Sequence, residues 1–323
     1  MKIGVNRQRK QHGTGKFLTN IGDCLTAHGH TMCFVSRHGS YPDLDALFIW
    51  NGEKPSMRGL VDHVNRHQGQ VVFAEHGFIN RDKWQLDPRG INANSSNRMW
   101  QAFPDPTESE IAHIESERLQ WRERTKIGYE KPDNYILVAL QTPTDVNLTV
   151  HSPQFADQRT FIKAVQTAAS EVTDTPLLFR QHPKLARGRE PALWTQLNTC
   201  KFVITINSNT VHEALMAQKD CICLGPQIYT GTIAQTPETG GVVYNCDGSV
   251  KKLKAAIVMA EARIKNELAK NDPTRDMYLL YVLDREWTLE EATRYENLER
   301  LLQGKPKSLG CRAMMHPDWP GNS

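Results

Sequence analysis

Several short polar segments of this chain directly follow apolar runs, and each holds residue types that can handle a phosphate or a sugar. QVVFA ends in Glu75, His76 and Gly77, NYILVAL ends in Gln141 to Asp145 (QTPTD), PLLF ends in Arg180 to Lys184 (RQHPK), and KFVITI ends in Asn207 to Thr210 (NSNT). A carboxylate that leaves a buried strand is placed for general acid or base work. Glu75 and Asp145 are the two such groups. A pair of that kind can divide glycosyl transfer, one as base or nucleophile and one as orienter, because an oxocarbenium-like centre needs negative charge on one face and an activated hydroxyl on the other. The bland alternative is that each carboxylate only caps a helix or pairs with a cation.

Two other segments point to an anion. Pro183 fixes its own φ and biases His182 to an extended backbone, so an imidazole at the strand end can be aimed at a phosphate oxygen; otherwise His182 is a surface histidine beside a turn proline. NSNTVHEAL joins a strand to a helix start, where free N–H groups and the positive dipole end favour negative charge. Ser208, Asn209 and Thr210 add hydroxyl and amide donors there, and in the functional reading the loop holds a nucleotide's phosphate while Glu213 reaches a ribose hydroxyl. The competing reading makes Thr210 and Glu213 a capping box that serves helix initiation alone.

The elements that must position these residues alternate. KIGV, a basic Gly-containing loop, a helix with Phe17, Ile21 and Leu25 at helical spacing, and GHTMCFVS form a strand, helix, strand unit of a parallel sheet. DALFIWNG and QVVFAEHG predict two more strands with VDHVNRHQ as a crossover helix. Thr107 and Glu110 fit a capping box, and Ile111, Ile114, Leu119 and Trp121 suggest an apolar stripe. The polar stretch GYEKPDN places a domain boundary near residue 130. Beyond it, strands at NYILVALQ, PLLFRQHP, KFVITINS, DCICLG and GVVYNC alternate with helices, the longest from Val250 to about Lys270 with Leu253, Ile257, Ala260, Ile264 and Leu268 on one face. That is a doubly wound sheet. The expected organisation is an α/β protein with two Rossmann-like domains, 1–130 and 131–270, followed by 271–323 as a helical extension and tail.

The 323 residues are 39% hydrophobic and 23% charged, which excludes collagen-like, coiled-coil and wholly disordered classes. A net charge of +3 falls short of a dedicated nucleic-acid binder. With no apolar run of membrane length and no secretory pattern at the N-terminus, a cytoplasmic protein without an integral membrane segment is the expectation. The seven cysteines are scattered and several lie inside apolar runs, so they read as reduced core thiols, and no metal site is expected.

AEHGFINRDKWQLDPRGINANSS (74–96), LQTPTDVNLTVHSP (140–153), RQHPK (180–184) and ITINSNTVHEALMAQKDCICLG (204–225) resemble, in order, the pieces of the capsule polysaccharide biosynthesis family, which includes bacterial β-Kdo transferases. The resemblance implies a glycosyltransferase of the GT-B kind, with an interdomain cleft, the acceptor mostly on the N-terminal domain (1–130) and the donor nucleotide-sugar on the C-terminal one (131–270). It implies that His182 of the His182-Pro183 step, with Ser208 and Asn209 or Thr210, holds the donor phosphate. The family's usual Ser/Thr pair is broken here by Asn209. It implies that Asp145 faces the anomeric carbon, that Glu75 is the second acidic residue and that Gln141 orients the sugar or the carboxylate. No metal or other cofactor is implied, since cationic and helix-end donors would neutralise the leaving phosphate. Asn207, at the head of the same loop, completes the expected donor set.

The basic loop offers Arg7, Arg9, Lys10 and Lys16 to an anionic acceptor, or is a solvated turn. The leading expectation is therefore a transferase moving a sugar, Kdo-like from CMP or a hexose or pentose from UDP, onto a glycan or glycolipid. One alternative is a phage-type enzyme that flips and decorates a hydroxymethylated DNA base. Others are a non-catalytic nucleotide-sugar-binding protein and an epimerase or phosphorylase of similar architecture.

Overall fold

The computed structural model describes residues 1–6, 14–36, 41–98, 101–125, 134–155, 157–186, 191–235, 241–268, 272–307 and 314–315. The chain forms two compact units. The first comprises Met1–Asn97 and Val282–Gly310, the second Arg98–Tyr281 and Cys311–Ser323.

The first unit opens with β1 (Lys2–Asn6), α1 (Thr14–Ala27), β2 (Thr31–Val35), β3 (Ala46–Trp50), α2 (Arg58–Arg66), β4 (Gln70–His76) and β5 (Trp84–Asp87). Its sheet has the order β2-β1-β3-β4-β5, parallel except where β5 runs against β4. All five residues of β3 are buried, which is why ALFIW reads as an unbroken apolar run. Successive side chains of a strand point to opposite faces. Ala46, Phe48 and Trp50 accordingly meet Phe17, Leu18, Ile21 and Leu25 of α1, while Leu47 and Ile49 meet Leu60 and Val64 of α2.

In the second unit, β6 (Gln101–Ala102) and α3 (Glu108–Thr125) precede β7 (Ile136–Ala139), α4 (Val146–Thr149), α5 (Gln158–Ser170), β8 (Leu177–Arg180), α6 (Pro183–Ala186) and α7 (Leu193–Thr199). Then follow β9 (Val203–Thr205), α8 (Thr210–Met216), β10 (Cys221–Cys223), α9 (Ile228–Thr232), β11 (Val243–Asn245), α10 (Val250–Lys265) and α11 (Pro273–Arg285). The main sheet, β11-β10-β9-β7-β8, is wholly parallel. Ile136, Val138, Ile204, Ile222 and Tyr244 share one core with Phe161 and Val165 of α5 and Leu253 and Ile257 of α10. Leu137, Val203, Cys221 and Cys223, in alternate positions, are buried as well, so both faces are covered. Burying each large aliphatic side chain stabilises by about 1.5–3 kcal/mol over exposure, which commits these strands to one register. β12 (Met314–Met315) pairs antiparallel with β6.

The α/β class and the two parallel sheets are as expected, but the division of the chain is not. It falls at Asn97/Arg98 instead of near 130, and α3 belongs to the second unit, where Arg118 Nη2 lies 2.5 Å from Asp276 Oδ1. Nor do residues 271–323 form an extension of their own. The division falls inside α11, and α12 (Leu289–Ala292) and α13 (Tyr295–Leu302) return to the first unit, where Trp287, Ala292, Leu298 and Leu301 complete the α1 core. The expected extended tail lies, apart from β12, outside the described residues.

The stripe of α3 is also shifted: Ile111 and Leu119 are exposed, and Ile114, Arg118 and Trp121 are buried. A buried ion pair at Arg118 replaces an apolar residue at that i, i+4, i+7 spacing. The long helix α10 stops at Lys265 and Leu268 is exposed. The Thr107–Glu110 capping box forms reciprocally, at 2.8 Å and 3.3 Å. The six described cysteines are free thiols, and Cys311 lies outside the described residues. Burial pushes Cys221 and Cys223 well above the usual thiol range and Cys200 up to about 12, so all three stay protonated and inert.

Candidate functional site at the switch point of the second sheet

The chain leaves β7 for its neighbour β8 on one side, then crosses to β9 on the other. The strand order therefore reverses between β7 and β9, and open α/β sheets bind ligands outside the carboxyl ends at such a reversal. Gln141 follows β7 and Asn207 follows β9. The Asn207 backbone N–H donates to Gln141 Oε1 at 3.3 Å, which bridges the two strand ends. Gln141 is 2% exposed, and its backbone carbonyl accepts from Gln158 Nε2.

That bond fixes the amide orientation, because a backbone N–H requires the oxygen of Gln141 on its side. Gln141 Nε2 is then a buried donor with no hydrogen-bond partner among the described residues. Asn207 is oriented likewise: its Nδ2 donates to the carbonyl of Asn147 at 2.7 Å, to Ser152 Oγ at 2.9 Å and to the carbonyl of Pro226 at 3.3 Å. It ties together the loops after β7, β9 and β10. Its Oδ1 has no partner either among the described residues. Buried polar atoms are nearly always paired, and leaving one unpaired costs about 1–3 kcal/mol. Two such atoms at the reversal of strand order make it the candidate place for a polar ligand.

The neighbouring loops are built tightly around this point. A Cβ on Gly225 would lie 2.1 Å from Ser152 Oγ, so only glycine lets the loop after β10 pass. Gln227 caps α9 and donates through Nε2 to Asn147 Oδ1 at 3.3 Å. Asp145 is the N-cap of α4, its Oδ1 accepting from the Asn147 N–H at 2.9 Å. The bland capping role weighed for this carboxylate is thus real, and it uses one of the two oxygens.

His182 follows β8. Its Nδ1 accepts from the Lys184 N–H at 3.2 Å, which leaves the ring proton on Nε2, and its carbonyl accepts from Leu185 and Ala186 as α6 begins at Pro183. The His-Pro step therefore starts a helix and fixes the tautomer of the ring.

After β9, Ser208 Oγ donates to Thr210 Oγ1 at 3.0 Å and accepts from the Thr210 N–H at 3.2 Å. The Thr210–Glu213 capping box does not form: α8 starts at Thr210, and Asn209, in the cap position, makes no side-chain cap bond. Asn209 Oδ1 instead meets His212 Nδ1 at 2.8 Å. Glu213 is half-buried in the first turn of α8.

Three supporting features were not evident from the sequence. His212 is fully buried and its Nε2 lies 2.9 Å from the Tyr278 hydroxyl, which fixes the ring that holds Asn209. The Tyr229 hydroxyl donates to the carbonyl of Ser208 at 3.0 Å, and burial holds both phenols well above their usual range. The i, i+3 spacing of Asn209 and His212 was the available signal. Tyr278 and Tyr229 gave none, since they join the site only in the fold.

Glu75 stands in the first unit, at the end of β4, with its Oε1 accepting from the His76 N–H at 2.9 Å. The third such feature supports the loop after it. Glu286, 1% exposed, accepts from the N–H groups of Ile79 and Asn80 and from Asn80 Nδ2, at 2.6, 2.9 and 2.7 Å. Burial raises its pKa against the pull of these donors. Within the resembling piece 74–96, Asp87 knits the turn in the same way. It accepts from the N–H of Arg89, Gly90 and Ser96, the hydroxyls of Ser95 and Ser96, and Asn97 Nδ2. Of the expected acceptor cations, Lys16 is exposed on α1, and Arg7, Arg9 and Lys10 lie outside the described residues. Among the described residues no helix is long and apolar enough to cross a membrane.

The family model for capsule polysaccharide biosynthesis proteins matches residues 109–191. That segment contains Gln141, Asp145, His182 and Pro183 and stops short of Asn207 and Ser208. Protein FixF of Sinorhizobium fredii is 30% identical over 216 residues, 61% of this chain and 52% of FixF, so the chain spans about half the length of this curated relative. Among solved structures, the β-Kdo 2,4 transferase of KpsC from Thermosulfurimonas dismutans superposes with a TM-score of 0.52 at 19% identity, over 79% of this chain and 89% of that one. The β-Kdo 2,7 transferase of the same KpsC gives 0.51 at 14%, with the same coverage. At such identities the likeness establishes the fold, two parallel-sheet α/β units of the GT-B kind.

Proposed function

We propose that this protein is a nucleotide-sugar-dependent glycosyltransferase of capsule polysaccharide assembly, with its donor held at the switch point of the second unit and a glycan as acceptor. The observation that carries the reading is the pair of buried, unpartnered amide atoms, Gln141 Nε2 and Asn207 Oδ1, between β7 and β9. Their chemistry, one donor and one acceptor, suits the hydroxyls of a sugar. In this reading His182 donates its Nε2–H to the donor phosphate, and the Ser208 and Thr210 hydroxyls bind the same group. Asp145 faces the anomeric carbon with the oxygen its cap bond leaves over, and Glu75 assists the acceptor. Hydrogen-bond donors aimed at the departing phosphate stabilise the charge that develops as the glycosidic bond to the nucleotide breaks. The family description and the KpsC fold support the capsule context and favour a CMP-linked, Kdo-like donor.

The test is product analysis by mass spectrometry after incubation with a panel of CMP- and UDP-sugars and two acceptors, a Kdo-terminated glycolipid and hydroxymethylcytosine DNA. Transfer from a CMP-sugar to the glycolipid is expected. Transfer to DNA would replace the glycan acceptor. Donor binding without transfer to either, unchanged in Asp145→Asn, would replace the enzyme with a binding protein.

A further inference from the structure

A second cluster of chemistry-bearing side chains lies in the first unit, on residues the proposed activity does not use. His63 and His67 are four residues apart at the end of α2, so both rings lie on one helix face. Asp43, just before β3, reaches the same spot. Its Oδ1 is 3.9 Å from His63 Nε2 and 3.8 Å from His67 Nδ1, and one ligand atom from each residue lies within 4.8 Å of the others. These separations are too long for hydrogen bonds, which fall at about 2.7–3.2 Å. His63 Nε2 is shielded from solvent and has no hydrogen-bond partner among the described residues. A ring nitrogen in that state, facing a carboxylate and a second imidazole, has the surroundings of a metal ligand.

The backing of the cluster is rigid. Leu44, next to Asp43, is 3% exposed and packs in one core with Leu60 and Val64, which flank His63 on α2. A Cβ on Gly69 would lie 2.6 Å from the Leu44 carbonyl and 2.7 Å from Val64 Cγ1. Glycine there lets the turn after α2 pass close to the strand and brings His67 to Asp43. The Tyr41 ring, 5.6 Å from His63, walls one side. The cluster then opens outward: the Asp43 and His67 side chains are 83% and 49% exposed, against 16% for His63.

We propose that Asp43, His63 and His67 form a site for a divalent transition-metal ion, zinc by preference. Two imidazoles with one carboxylate suit zinc, whereas calcium and magnesium take oxygen ligands throughout. Tetrahedral zinc with ligands at about 2.0–2.1 Å holds them roughly 3.4 Å apart. The two carboxylate–imidazole separations need to close by about half an ångström and the imidazole pair, held within 4.8 Å, by up to about 1.4 Å, within reach of the exposed Asp43 and His67 side chains. The fourth position faces solvent and would take water. The ion would pin the segment before β3 to the end of α2.

The test uses the full chain, stripped with EDTA and dialysed to equilibrium against zinc chloride, with bound metal measured by mass spectrometry. Stoichiometric zinc is expected, lost in both His67→Ala and Asp43→Asn. These substitutions change exposed side chains, so the fold should survive, and circular dichroism checks it. Cobalt(II) in place of zinc should show nitrogen and oxygen coordination without a thiolate charge-transfer band. Absence of bound zinc, zinc retained in both variants, or a thiolate band would each overturn the assignment.

Discussion

The ends of strands β4 and β7 carry comparable polar loops and treat them in opposite ways. After β4 and the paired β5, buried carboxylates gather the loops: Glu286 takes three donors around Asn80, and Asp87, at the end of β5, takes six around the turn ending at Asn97. After β7, the amides of Gln141 and Asn207 also bridge loops, yet each keeps one buried atom unpaired among the described residues. A carboxylate whose oxygens are filled by donors holds a loop still, whereas an amide with an unpaired buried atom keeps binding capacity in reserve at a cost to stability. The first region is therefore expected to respond to mutation in its folding and the second in its ligand binding.

The largest effect that would sharpen this contrast is expected at Asp145. Asp145→Asn keeps an oxygen for the Asn147 N–H and so keeps the cap, but it removes the negative charge; turnover should fall by about 10²–10⁴-fold with the melting temperature nearly unchanged. Wild-type turnover in Asp145→Asn would remove the catalytic reading of the second region.

A buried carboxylate of the second unit away from its switch point offers the next test. Asp220 is buried with Oδ1 unpartnered among the described residues, and desolvation lifts it to about 6, against the pull of Arg263 at 3.0 Å. The folded state then holds a proton that the unfolded state releases near 3.8. Stability should be highest below pH 4 as far as this group is concerned and should fall as pH rises toward and through 6. A rise of that size in a carboxyl pKa corresponds to about 3 kcal/mol. Urea unfolding at pH 4.5 and 7.5 should show this slope in the wild type and a flatter one in Asp220→Asn.

Glu286→Ala strips three donors of their acceptor and should cost about 2 kcal/mol in urea unfolding while leaving affinity for the nucleotide-sugar unchanged. Gln141→Ala should show the reverse: a loss of donor affinity of about tenfold by calorimetry, with a smaller stability change because only one weak backbone contact is lost. If Glu286→Ala weakened donor binding more than Gln141→Ala, the contrast between the two regions would be inverted.

The elements that could be read in the sequence are those whose pattern is local. Unbroken apolar runs marked β3, β7, β9 and β10, and the polar residues after them included Gln141, Asp145, His182, Asn207 and Ser208. Pairings between distant residues were illegible. Arg118 occupies a buried helix position because Asp276 lies across from it, 158 residues away, and a stripe drawn from apolar residues alone was displaced onto Ile111 and Leu119. Tyr278 meets His212 across 66 residues, and Glu286 meets Asn80 across 206. The Thr210–Glu213 spacing was legible and misleading, because Ser208, two residues earlier, takes the Thr210 amide instead. His63 and His67 stood at helical spacing, but Asp43 joins them only through the packing of Leu44 on Val64.

The first unit is assembled from two stretches of chain with residues 98–281 between them. A ribosome making this protein releases Ile3, Phe17 and Ile21 long before Trp287, Leu298 and Leu301, the partners that close their core. The nascent amino-terminal stretch must therefore wait with an open apolar face while most of its neighbour is synthesised as one continuous piece, which reverses the usual order in which the earlier domain finishes first. Any version of the chain that ends before α13 would carry that exposed face permanently.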